Sequence, residues 1–75
     1  MKRVVLYVLD KCPHCKTAQR YLDEQRIQYR LCNVKMQRGR KELDAIGGKG
    51  VPTIKIGDQI LRGFSVKSFN QMYKS

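Results

Sequence analysis

Cys12-Pro13-His14-Cys15 sits at the junction between an apolar run, Arg3 to Leu9, and a segment with helical spacing. Two cysteines separated by two residues at the start of a helix bring their sulfurs within one turn of each other. The proline is tolerated in such a helix only at its first turn, where no backbone N–H is needed. The chain is thereby held to a strand, a tight turn and a helix opening at Pro13. Cys12 then lies at the helix N-terminus, where unpaired N–H groups and the helix dipole favour negative charge on its sulfur. Lys11, His14 and Lys16 add positive charge near by. This arrangement suits a dithiol that cycles with a disulfide.

Beyond the motif, the pattern reads β-α-β-α-β-β-α. The first run is continuously apolar and β-rich, as in a strand buried on both faces. Ala18, Tyr21, Leu22 and Gln25 keep helical spacing to about residue 26. Residues 27–34 alternate, with Ile27, Tyr29 and Leu31 against Gln28, Arg30 and Cys32, and read as a second strand. Gly39 punctuates the chain before a short helix, Arg40 to Ile46, which Gly47-Gly48-Lys49-Gly50 stops,. Val51 to Ile56 and Gln59 to Arg62 form a hairpin around Gly57-Asp58,. Gly63 ends it, and Ser65 caps a last helix carrying Val66, Phe69, Met72 and Tyr73,. A strand-helix-strand opening implies a parallel pair, and the hairpin adds antiparallel strands. A mixed four-stranded sheet with helices on its faces fits residues 1–75 as a single domain,.

Three cysteines do not make a full disulfide framework,. Lys2 and Arg3 lead into an apolar run too short for a secretion signal, and no run approaches the roughly 20 residues that span a bilayer. These features point to the cytoplasm, where such a cysteine pair is catalytic or metal-binding. Sixteen Lys and Arg against six Asp and Glu give a formal charge of +10. That excess attracts glutathione, acidic proteins, phosphates or nucleic acid alike. It also reads as a solvated basic surface, densest at Arg38, Arg40 and Lys41.

Three features coincide: Cys12-Pro13-His14-Cys15 after the first strand, Val51-Pro52 opening the third, and Gly63-Phe64 before the last helix. Together, over nearly the whole chain, they resemble the glutaredoxin branch of the thioredoxin fold. The resemblance implies a thiol–disulfide oxidoreductase acting on protein or glutathione mixed disulfides. It implies glutathione as co-substrate and no bound cofactor or metal of the protein's own. Cys12 is then the nucleophile and Cys15 the resolving thiol, with His14 tuning the thiolate. Pro52 is a candidate cis-proline that leaves the Val51 backbone free to pair with an extended substrate. Lys11, Arg38 and Arg40 are candidates for glutathione carboxylates. Gly63, Phe64 and Ser65 offer backbone N–H groups to an anion at the last helix.

The departures carry information too. The central pair is Pro-His where the family usually has Pro-Tyr, and Gly50 replaces the Thr before Val-Pro. Arg62-Gly63-Phe64-Ser65 replaces a Gly-Gly-x-Asp turn whose acid holds the γ-glutamyl end of glutathione. The Gly-Phe form is similar to small redoxins that serve ribonucleotide reductase and take electrons from thioredoxin reductase. Expected partners are therefore glutathione, thioredoxin reductase and disulfide-bearing proteins, met by a monomer with no membrane association. Cys32 reads as a buried small hydrophobe or a regulatory thiol. An iron–sulfur carrier and a basic nucleic-acid-binding module are the rival readings. The stiffness of Pro13 disfavours the first, and the lack of a stacking aromatic stripe disfavours the second.

Overall fold

The computed structural model describes residues 3–48 and 50–74. Its elements are β1 (Val4–Val8), α1 (Pro13–Glu24), β2 (Arg30–Asn33), α2 (Gln37–Ala45), β3 (Thr53–Ile56), β4 (Gln59–Arg62) and α3 (Val66–Lys74). The strands form one sheet in the order β2-β1-β3-β4. β1 runs parallel to β2 and antiparallel to β3, and β3 and β4 form the hairpin. This is the thioredoxin-like architecture that the element order implies. No helix among the described residues is long and apolar enough to cross a membrane.

The continuous apolar run of β1 follows from its central place. Val4, Leu6 and Val8 face one side, where Cys15, Ala18 and Leu22 of α1 and Phe69 of α3 close the main core with Ile54, Ile56 and Leu61. Tyr7 faces the other side with Cys32 and Leu43, flanked by Val5, Val34 and Ile46. A strand covered on both faces has no polar side to alternate with. At the hairpin, Gly57 alone takes a positive φ (59°) while Asp58 does not. That is the pattern of a II′ turn, whose twist matches the flanking strands.

Three boundaries differ from the sequence reading, each for a physical reason. β2 begins at Arg30 rather than Ile27. Ile27 and Tyr29 pack against the main core without pairing to β1. The alternation is also out of phase with burial: Leu31 is 48% exposed on the outer edge strand, while Cys32 is buried. α2 begins at Gln37 and runs through Gly39. A Cβ at Gly39 would strike the Asn33 carbonyl, with the carbonyl carbon at 2.9 Å. The glycine is there for close backbone approach, so it does not mark a helix start. β3 begins at Thr53, and Val51-Pro52 forms a bend before it. The expected loop of residues 47–50 includes Lys49, which lies outside the described residues.

Candidate active site

Cys12 is the N-cap of α1 with extended backbone (φ −112°, ψ 106°), and Pro13 follows in the first turn. The Cys15 backbone N–H donates to Cys12 Sγ at 3.2 Å. The sulfur thus occupies the place a capping oxygen would take. No acidic residue stands in the first turn to compete for the helix end. His14, Lys11 and Lys16 are exposed beside it.

Cys15 is only 2% exposed. Burial pushes its thiol up to about 11, and the hydrogen bond with Cys12 adds to this; a backbone hydrogen bond with Leu9 works in the opposite direction. At neutral pH Cys15 therefore keeps its proton. The folded value stands above the ordinary 9.0, so the folded dithiol keeps a proton that an unfolded chain releases. Its contribution to stability is intact below about pH 9 and is lost as pH rises through about 11. Relative to the disulfide form, the reduced protein should lose on the order of 3 kcal/mol across that window. Burial also raises Tyr7, Tyr29 and Cys32. Those groups are common to both redox forms and cancel in the difference. Urea unfolding of both forms between pH 8.5 and 11 checks this; parallel curves would contradict it.

The rest of the site gathers at the same end of the sheet. Tyr7 pairs with Thr53, and Thr53 with Arg62. The bend before β3 and the turn after β4 therefore flank the Cys12 end of β1. The Val51-Pro52 peptide is cis. Thr53 Oγ1 donates to the Gly50 carbonyl at 2.6 Å, and the Gly63 N–H donates to the Pro52 carbonyl at 2.9 Å. Gly63 has φ 82°, in the left-handed region, with nothing within 4 Å of a Cβ, so backbone conformation alone accounts for glycine here. Gly50, Val51, Pro52, Thr53, Arg62 and Gly63 line a shallow pocket of about 170 Å³. Cys12, Val51 and Phe64 all border the main core. Phe64 is half-buried, with its ring 5.6 Å from Tyr21 and 6.5 Å from Phe69. Ser65 is exposed, and its carbonyl accepts the Phe69 N–H at 2.8 Å as α3 begins.

Arg38 and Arg40 lie exposed in the first half of α2. The ion pair formed among the described residues is Arg30–Glu42, so Lys11, Arg38 and Arg40 keep their charges uncommitted. No three His, Cys, Asp or Glu side chains converge as a metal set among the described residues. Cys32 lies on the opposite face of the sheet, where its thiol donates to Glu42 Oε2 at 3.3 Å.

Sequence reasoning did not find the tie that steadies the loop before Cys12. Asn33 Nδ2 donates to Asp10 Oδ1 at 2.7 Å, Asn33 Oδ1 accepts the Lys35 N–H at 2.8 Å, and the Val34 N–H reaches the Val8 carbonyl at 2.9 Å. The signal was the Asn33-Val34 break in the alternation, which is where β2 ends. Arg62 was likewise passed over; its guanidinium reaches the Gly47 carbonyl at 3.4 Å. Leu9 and Met36 stand exposed where β1 ends and α2 begins, as apolar surface beside these loops.

Residues 4–61 match the family model described as glutaredoxin. No curated protein matches the chain. Among solved structures, a glutaredoxin from Archaeoglobus fulgidus superposes with a TM-score of 0.83 at 22% identity, covering 100% of this chain and 89% of that one. The glutaredoxin-like NrdH-redoxin from Escherichia coli gives 0.79 at 22% identity, covering 93% of each. A thioredoxin-like protein gives 0.85 at 22% identity, covering 93% of this chain and 99% of that one.

Proposed function

Because the chain belongs to the glutaredoxin family, we propose that it is a thiol–disulfide oxidoreductase that reduces protein or glutathione mixed disulfides through Cys12 and Cys15. The observation that carries this reading is the asymmetry of the pair. One sulfur caps a helix and receives a backbone N–H, and the other is buried and holds its proton. The Cys12 thiolate attacks a substrate disulfide, forms a mixed disulfide and expels one substrate thiolate, which takes a proton from water. Cys15 gives up its proton, attacks Cys12 Sγ and releases the second substrate thiol. Two electrons have then passed to the substrate, and the protein is left with a Cys12–Cys15 disulfide. An external thiol reductant restores it.

In this reading Pro13 shapes the helix start, and His14 lends positive charge or a donor to the Cys12 thiolate. Val51 offers its backbone beside Pro52 to an extended substrate. Lys11, Arg38 and Arg40 attract carboxylates, and the Gly63-Phe64-Ser65 turn offers N–H groups. Glutathione serves as co-substrate, but weakly, since Ser65 replaces the acid that would hold its amine. The same turn favours thioredoxin reductase as the electron donor. The E. coli relative is described as glutaredoxin-like with a thioredoxin-like activity profile, which supports that choice. Ribonucleotide reductase is then one candidate substrate, met by a cytoplasmic monomer.

The test compares kcat/KM for reduction of the oxidised protein by glutathione and by thioredoxin reductase with NADPH, at low and high salt. Faster reduction by the reductase supports the reading. Arg40→Ala should raise KM for glutathione mixed disulfides roughly fivefold, the size of an exposed ionic contact that salt screens. Fast glutathione turnover that is indifferent to salt and to Arg40→Ala would remove the anion-site assignment.

A further inference from the structure

The end of the sheet remote from Cys12 carries a cleft of about 640 Å³. Its lining includes Arg3 ahead of β1, Arg26, Gln28, Tyr29 and Arg30 between α1 and β2, and Tyr73 near the end of α3. That volume lies within the range of small-molecule sites. Three arginines line it and no acidic residue does. Arg30 gives one nitrogen to Glu42, 3.3 Å away and outside the lining. Arg3 and Arg26 make no ion pair among the described residues. Both tyrosines are held in place. The Tyr29 hydroxyl donates to Asp23 Oδ1 at 3.0 Å, and the Tyr73 ring stacks on Phe69 with centroids 5.4 Å apart.

Arg26 is also conformationally out of the ordinary. It is the one non-glycine residue with positive φ (56°) among the described residues. It closes α1, with its N–H on the Asp23 carbonyl at 3.1 Å and the Ile27 N–H on the Leu22 carbonyl at 3.0 Å. That closing position favours glycine, because a Cβ is strained there. Here the strained position places an arginine in the cleft lining. A non-glycine residue in this conformation at a concave, cationic surface is the kind of outlier from which a functional hypothesis is drawn,.

We infer that this cleft binds a nucleotide-class ligand, the arginines taking its phosphates and the tyrosines its flat base. The guanidinium fork matches phosphate oxygens in pairs. Aromatic faces accept any base by stacking. Much of the +10 charge lies outside the dithiol chemistry, and this ligand accounts for a share of it. α1 has 12 residues and so spans about 18 Å between the cleft and Cys12,. Ligand and dithiol are therefore compatible, and the inference does not depend on the redox reading. The same chemistry could come from a free nucleotide or from one within a single strand.

The experiment titrates the oxidised full chain at low salt with ADP, inorganic pyrophosphate and a short single-stranded oligonucleotide, followed by backbone amide NMR. ADP should shift the amides of residues 26–30 and of Tyr73, and leave those around Cys12 in place. Arg26→Gly combined with Arg3→Ala should weaken ADP about tenfold, as expected for losing two partly exposed ionic contacts. Arg26→Gly alone should melt no lower than the parent, because glycine takes this φ without strain. Lys41→Ala with Lys67→Ala removes equal charge elsewhere and should change affinity less than about twofold. Equal weakening by that control pair, shifts centred on Cys12, or pyrophosphate binding as tightly as ADP would each overturn the inference. An oligonucleotide no tighter per nucleotide than ADP identifies a free nucleotide as the ligand; a much tighter one with the same arginine dependence identifies a strand.

Discussion

Cys12→Ser should abolish disulfide reduction, leaving a rate at least about a thousandfold below the parent, because a hydroxyl at neutral pH is no substitute for the attacking thiolate. Cys15→Ser has a different signature. The first attack still occurs at the helix-capping sulfur, but the buried thiol that would release the product is gone. The protein should therefore accumulate as a mixed disulfide, visible by mass as protein plus substrate. Turnover of protein disulfides should fall by about two orders of magnitude. Turnover of glutathione mixed disulfides should persist in part, since a second glutathione can attack Cys12 Sγ from outside. If Cys15→Ser reduces protein disulfides as fast as the parent, the two cysteines do not have the roles assigned to them.

The difference between the two sulfurs was legible in the sequence because one local rule produces it. Pro13 dictates where α1 starts, and two residues later the helix carries Cys15 inward beside Ala18 and Leu22. The hairpin was legible for a similar reason, since Gly57-Asp58 is a turn in its own right. The edge strand was not. Leu31 is apolar yet exposed, and Cys32, on the polar phase of the alternation, is buried as its own reading as a small hydrophobe expects. Alternation alone cannot tell which face of an outer strand a helix will cover. Gly39 misled in the same way, because its purpose lies in the approach of α2 to Asn33, outside its own segment. The Asp10–Asn33 bond joins residues 23 apart and depends on β1 and β2 being neighbours. The isomer of Val51-Pro52 came from the family resemblance; a proline in a sequence does not declare it.

Phe69→Ala should unfold much of the population or lower the melting temperature by about 15–30 °C. Phe69 is fully buried, and its ring lies 6.0 Å from Tyr21, 6.5 Å from Phe64 and 5.4 Å from Tyr73. Truncating such a ring costs about 3–5 kcal/mol through lost transfer energy and the cavity left behind. A chain of this length holds about 4–11 kcal/mol in all, and small domains lie toward the lower end. Each kcal/mol moves the melting point of a domain this size by roughly 4–8 °C. Thermal unfolding by circular dichroism measures the loss; a shift under about 5 °C would show that the ring is not the keystone between α1 and α3. Phe69→Leu separates folding from function. It keeps most of the volume and should cost about 1–2 kcal/mol. Phe64 then loses its aromatic partner on α3 while the helix cap at Cys12 is untouched. KM for disulfide substrates should rise, and the alkylation rate of Cys12 should stay as it was. The proposed nucleophile sits at the first turn of α1, whereas the Gly63-Phe64 turn is held by packing from a helix at the other end of the sequence.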